Sequence, residues 1–289
     1  MRCAVSHAPA EALADDLRAA LAAPDSALAR AALVIARIEY PRLDPEPCLA
    51  RLDELGRQAA SRMDGGAPAA RIARLNELLF EQEAFGGNHE RYDDPGNSCL
   101  NNVLDRRTGI PITLSVVYME VARRAGLQVD GVNFPGHFLV RCAEDPAGEI
   151  IIDPFHAGAV LSEQDCRRLL QTEAGGSTFD RALLAPTTLT QIATRMLTNL
   201  KRLYVEMRSF PQARAATELI LTLNPASLTE LRDRGLLAYH LNDLPTALRD
   251  LQTYLSLAGR GAANEETRDE QARIWEHIKA LRRRTATLN

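Results

Sequence analysis

The sequence predicts an α+β protein, mostly helical, with one small antiparallel sheet and a C-terminal region built only of helices. Three observations carry this. Apolar residues recur at threes and fours over residues 11–85 and again beyond Thr187. Two short runs rich in β-formers, residues 137–142 and 149–153, flank a turn-rich segment. The C-terminal third matches itself at an offset of 34 residues.

A chain of 289 residues is long enough for two domains, and 46% hydrophobic residues supply a real core. The net charge of −4 offers no basic excess to neutralise a phosphate backbone, so nucleic acid is not the expected partner. Apolar stretches such as residues 31–35 are too short to cross a bilayer, and residues 1–7 lack the apolar run of a signal peptide. The five cysteines, Cys3, Cys48, Cys99, Cys142 and Cys166, are odd in number, and no pair has CxxC spacing. Neither a disulfide framework nor a zinc site is indicated, no cofactor is expected, and the expected location is a reducing cytoplasm.

The first helices are marked by Leu13, Leu17 and Leu21, then by Leu28, Ala32, Ile35 and Ile38. Asp25-Ser26 and Asp44-Pro45 read as helix starts, and residues 65–68, Gly-Gly-Ala-Pro, as a break. A helix over 69–85 carries Leu75, Leu78 and Leu79 and ends at Gly86-Gly87. Residues 93–97, Asp-Asp-Pro-Gly-Asn, are turn chemistry. A short helix over 98–106 follows, then one over 111–125 with proline first, Gly126 after it, and a buried stripe of Leu114, Val117, Val121 and Ala125.

Pairing the two β runs about Asp145 sets Arg141 opposite Glu149, Leu139 opposite Ile151 and His137 opposite Asp153. One register yields an opposite-charge pair, an apolar pair and a His–Asp pair on one face. Cys142 then points to the other face, toward the core.

In the C-terminal region, residues 209–213, Ser-Phe-Pro-Gln-Ala, match residues 243–247, Asp-Leu-Pro-Thr-Ala. Leu203 matches Leu237, and Leu221 matches Leu255. Thirty-four residues is the period of the tetratricopeptide repeat (TPR). The first copy resembles that pattern at Leu197, Leu200, Tyr204, Ala213 and Pro225, the second at Leu231, Gly235 and Ala247. Lys201 stands where a small residue is usual, and Gly259 where proline is usual. A further helix over 265–284 could cap the stack.

A histidine opposite a carboxylate is the orienting half of a nucleophilic triad, and a helix N-terminus is the favoured place for the third member. A helix, a strand beginning Gly-His and a strand ending Asp-Pro is the order of the transglutaminase-like (papain-like) cysteine fold. The chain resembles its SirB-type branch, a transglutaminase-like domain followed by TPR repeats. The matching stretches are residues 75–81, 97–98 with 100–101, 106–115, 134–141 and 153–155. The resemblance implies a cysteine at the first turn of the helix over 111–125, in a Gly-x-Cys whose slot holds Gly109-Ile110-Pro111. Proline has no nucleophile, so His137 and Asp153 lack the partner they would serve.

Cys99 is the substitute thiol, ahead of Ser115 and Thr113. Arg106-Arg107 and Arg123-Arg124 form either an anion site or solvated helix faces. Three regions are expected: a helical region over 1–91 packed on the core, a transglutaminase-like core over 92–187 and TPR-like repeats over 188–289. The leading expectation is a cytoplasmic interaction or regulatory protein, a pseudoenzyme whose repeats bind a protein or peptide partner. The alternative is a cysteine-dependent amide or thioester hydrolase or transferase using Cys99, His137 and Asp153. A purely structural scaffold is a third reading.

Overall fold

A computed structural model describes residues 10–23, 27–63, 65–143, 148–175, 178–259, 269 and 271–279. The chain forms two compact units, Asp15–Met196 and Leu197–Asn289, the second also taking Pro9–Ala14. Among the described residues no helix is long and apolar enough to cross a membrane.

Helix α1 (Ala10–Ala22) is divided between the two units at Ala14, and the first unit also holds α2 (Ala27–Ala36), α3 (Glu46–Arg62), α4 (Pro68–Asn76), α5 (Leu100–Arg106), α6 (Pro111–Arg124) and α7 (Glu163–Ala174). Helix α4 does not run on as one α-helix to Phe85. It widens into a π-turn over Glu77–Gln82 and stops at Ala84, whose φ is +57°. The glycines expected to end it form β1 (Gly86–Gly87), paired in parallel with β2 (Thr108–Gly109).

Helix α6 is the centre of this unit. The expected stripe understates it, because every residue from Pro111 to Ala122 is buried, Thr113, Ser115 and Glu120 included. A helix surrounded on all sides has no solvent face. Helices α2, α3 and α5 pack against it, as do the sheet and the turn at Pro154–His156.

The sheet has four antiparallel strands in the order β3 (Asp130–Val132), β4 (Leu139–Cys142), β5 (Ile150–Asp153) and β6 (Ala159–Leu161). The β4–β5 pairing corrects the expected register. Arg141 faces Ile151, Val140 faces Ile152 and Cys142 faces Ile150, a shift of two residues. A side chain's face repeats every second residue, so a two-residue slip keeps every side chain on its expected face and the sequence pattern cannot exclude it. Arg141 still reaches Glu149 at 3.4 Å, diagonally rather than directly across.

His137 lies outside the strand for a local reason. Gly136, at φ +74°, makes a turn in which the His137 N–H donates to the Phe134 carbonyl at 3.1 Å, not to the ladder. A Cβ at Gly136 would stand 2.8 Å from the Glu173 carbonyl oxygen of α7, so both the backbone angle and the space require glycine. Leu139 and Ile151 pack with Cys166 and Leu170 of α7, together with Val132, Phe134 and Leu184.

The repeats are α8 (Leu189–Glu206), α9 (Phe210–Leu223), α10 (Leu228–His240) and α11 (Leu244–Ala258). The offset of 34 is structural: α8 and α10 end at Glu206 and His240, and α9 and α11 begin at Phe210 and Leu244. The turns between them share a left-handed residue at the same offset, Arg208 at φ +56° and Asn242 at φ +62°. Tyr204, Ala213, Leu237 and Ala247 are buried as the repeat requires.

Gly235 faces Leu251, and its counterpart Lys201 turns its ammonium to Glu230 at 2.7 Å and Asp233 at 2.8 Å. Of the expected capping helix, residues 271–279 are helical. Their Ile274 and Ile278 join the core made by Ala238, Leu244, Ala247, Leu251 and Tyr254. Arg282, Arg283 and Arg284, which with Lys279 make the end of that helix basic in sequence, lie outside the described residues.

Candidate functional site

Strand β5 ends at Asp153, and Pro154 starts a single 3-10 turn, Pro154–His156. Proline suits the first position because it has no N–H to satisfy, and the aspartate before it caps the next donors. The Asp153 carboxylate accepts from the Phe155 N–H at 3.0 Å and the His156 N–H at 3.4 Å. The turn carries the His156 ring back onto its own cap, where Nδ1 lies 2.8 Å from Asp153 Oδ2. His137 arrives from the Gly136 turn, with Nε2 3.0 Å from both carboxylate oxygens.

The expected His137–Asp153 contact is therefore present, made between a turn-borne histidine and the last residue of β5 instead of two strand residues facing each other. Both are buried, and His156 is half-exposed. Burial raises the Asp153 carboxyl, but hydrogen bonding and attraction to His137 and then His156 outweigh it and hold it below the usual carboxylate range. Phe155 packs among four rings, with centroid distances of 4.6 Å to His89, 5.1 Å to His156, 5.9 Å to His137 and 6.1 Å to Tyr92.

His156 and His89 are absent from the sequence-based candidates. A signal for His156 existed: in Asp153-Pro154-Phe155-His156, proline marks a turn start, and a side chain three residues after a cap returns to it.

Pro111 is the first residue of α6 and is buried. Thr113 and Ser115 offer no free hydroxyl to solvent. The Thr113 hydroxyl donates to the Asn97 carbonyl at 2.6 Å and accepts from the Ile110 N–H at 3.2 Å. Ser115 is fully buried. Cys99 precedes α5 as its cap residue and has no exposed surface. Burial, with Glu39 and Asp94 adding to it, pushes its thiol up to about 12. Cys166 is raised to about 11, again chiefly by burial. Cys142 is buried, as its position on β4 implied.

The arginine pairs meet carboxylates of this chain. Arg106 lies 2.9 Å from Asp94, and Arg107 is 3.1 Å from Glu83. Arg124 is 2.6 Å from Asp53 and also bonds the buried Glu120, which Arg123 approaches at 3.3 Å. Arg124 is thus part of the interior, neither a solvated face nor a vacant anion site.

Comparison with known proteins gives this arrangement its setting. Residues 46–198 match the family model described as the transglutaminase-like superfamily, more than half of the chain. The chain belongs to the transglutaminase-like superfamily. Residues 200–282 match a tetratricopeptide repeat, so the transglutaminase-like domain is followed by TPR repeats. A UPF0162 protein of Xylella fastidiosa is 39% identical over 231 residues, covering 78% of this chain and 82% of the relative. A UPF0162 protein of Pseudomonas aeruginosa is 33% identical over 240 residues, covering 82% and 87%. F-box only protein 21 of Homo sapiens is 32% identical over 182 residues, 59% of this chain and 28% of that protein. Among solved structures, menin gives a TM-score of 0.41 at 12% identity over 93% of this chain and 74% of menin, a likeness too slight to argue from.

Proposed function

We propose that this transglutaminase-like protein is a cytoplasmic interaction or regulatory protein, a pseudoenzyme whose TPR region binds a protein or peptide partner. The observation that carries the reading is the start of α6. Pro111 begins the central helix where the resemblance places the nucleophile, and the substitute thiol, Cys99, is buried and protonated at neutral pH. An imidazole–carboxylate pair without a nucleophile orients a base that has nothing to activate. His137 and Asp153 then act as a strut between the Gly136 turn and the end of β5. The repeats supply stacked helices of the kind that present a surface to a peptide.

Two measurements test this with the full chain. Amide and thioester substrates are offered to the wild type, Cys99→Ser and His137→Ala. Turnover that either substitution abolishes returns the protein to the cysteine-hydrolase or transferase reading with Cys99, His137 and Asp153. A bound partner is sought by crosslinking in the source cell and then measured in purified form. Its affinity should fall when the exposed apolar residues of the repeats, Val205, Met207 and Leu257, are replaced by glutamate. Binding that survives all three substitutions removes the repeats from the interaction.

A further inference from the structure

We propose that His137, Asp153 and His156 form a binding site for a divalent transition-metal ion of the zinc class. One donor atom from each lies within 4.8 Å of the others. Two imidazoles with one carboxylate are a donor set that favours zinc and its neighbours over calcium or magnesium, which prefer oxygen.

The two oxygens of Asp153 have different work. Oδ1 accepts from the Phe155 N–H, which fixes the carboxylate's orientation. Oδ2 sits between the rings, 3.0 Å from His137 Nε2 and 2.8 Å from His156 Nδ1. Zinc bonds of about 2.0–2.1 Å set neighbouring ligand atoms about 3.3 Å apart in a tetrahedral shell, so the two short edges open by only about 0.3–0.5 Å. His156 can make that adjustment, because it is half-exposed on a single turn.

A metal-bound imidazole carries its proton on the other nitrogen. For His137, which turns Nε2 to the carboxylate, that is Nδ1. Three protein ligands leave a fourth position open. The approach lies on the His156 side, where exposed His89 stands 5.9 Å from the His156 ring. This site is separate from the partner-binding reading and stands or falls without it.

The test uses the full chain stripped with EDTA. It is titrated with Co²⁺ by visible absorption and with Zn²⁺ by calorimetry. One ion per chain is expected, with ligand-field bands of a low-coordinate nitrogen and oxygen site that Zn²⁺ abolishes. His156→Ala should weaken binding by more than about tenfold with the circular dichroism spectrum unchanged. His89→Ala should leave the affinity unchanged. The proposal is overturned if excess metal produces neither bands nor heat. It is equally overturned if His156→Ala binds as the wild type does, or if His89→Ala costs more than His156→Ala, since surface histidines would then be the ligands.

Discussion

Alkylation of Cys99 tests the substitute thiol of this domain, and its rate follows from the structure. With the Cys99 thiol pushed up to about 12, only about 3 in 100,000 molecules carry the thiolate at pH 7.5. An ordinary cysteine near 8.5 has about one in ten, so the population deficit is about 3,000-fold. A more basic thiolate is intrinsically more nucleophilic, which recovers about 40-fold and leaves Cys99 slower by about a hundredfold on ionisation alone. Its lack of exposed surface slows it further, because the helix start must open before a reagent enters.

The assay treats the folded and the urea-unfolded chain with iodoacetamide at pH 7.5 and follows each cysteine by peptide mass spectrometry. Cys99 should react at least about a hundredfold more slowly when folded, with a rate that keeps climbing with pH beyond 9. A folded rate within tenfold of the unfolded one, or a plateau below pH 8, would refute the reasoning and make Cys99 a nucleophile again.

Four other outcomes are expected. Asp153→Ala should lower stability by about 2–4 kcal/mol in urea denaturation, since it strands buried donors of His137 and Phe155; a loss below about 1 kcal/mol would deny the pair its role as a strut. Because the folded Asp153 carboxyl is held below its unfolded value, the stability its charge adds is present above about pH 4 and lost as the pH falls through the folded value. The deficit of Asp153→Asn should shrink over that acid window. Pro111→Cys should give a thiol that meets the His137–Asp153 pair, whose imidazolium offsets the effect of burial and brings its pKa below that of a free thiol, read from the pH dependence of its alkylation; a free-thiol or raised profile contradicts that geometry. Gly56→Ala should gain about 1 kcal/mol in helix propensity but cost about 2–3 kcal/mol in overpacking, because its Cβ would overlap Arg124 Cβ on α6 and stand 2.9 Å from Cδ; a raised melting temperature would show that α3 and α6 separate freely.

Local pattern made much of this protein legible before any coordinates. The 34-residue offset survives as matching helix ends and matching left-handed turns, because a repeat places the same turn chemistry at the same spacing each time. Proline at the start of α6 and its missing nucleophile are visible in the sequence, since a helix start is a local event. The strand pattern also brings His137 and Asp153 together, although the register it suggests is two residues from the one observed.

What needed the tertiary structure were features set by neighbours distant in the chain. The β4–β5 register is one, because registers two residues apart bury the same faces and local alternation cannot separate them. The full burial of α6 is another, since its periodicity gives no sign that helices and a sheet surround it. The protonated state of Cys99 depends on packing and on Glu39 and Asp94, not on its place before a helix. Gly56 reads from the sequence as a helix weakness to be repaired, and only the approach of Arg124 shows that it is required. His156 joins the site because the Pro154–His156 turn folds it onto Asp153, a closeness in space that spacing along the chain hints at but packing decides.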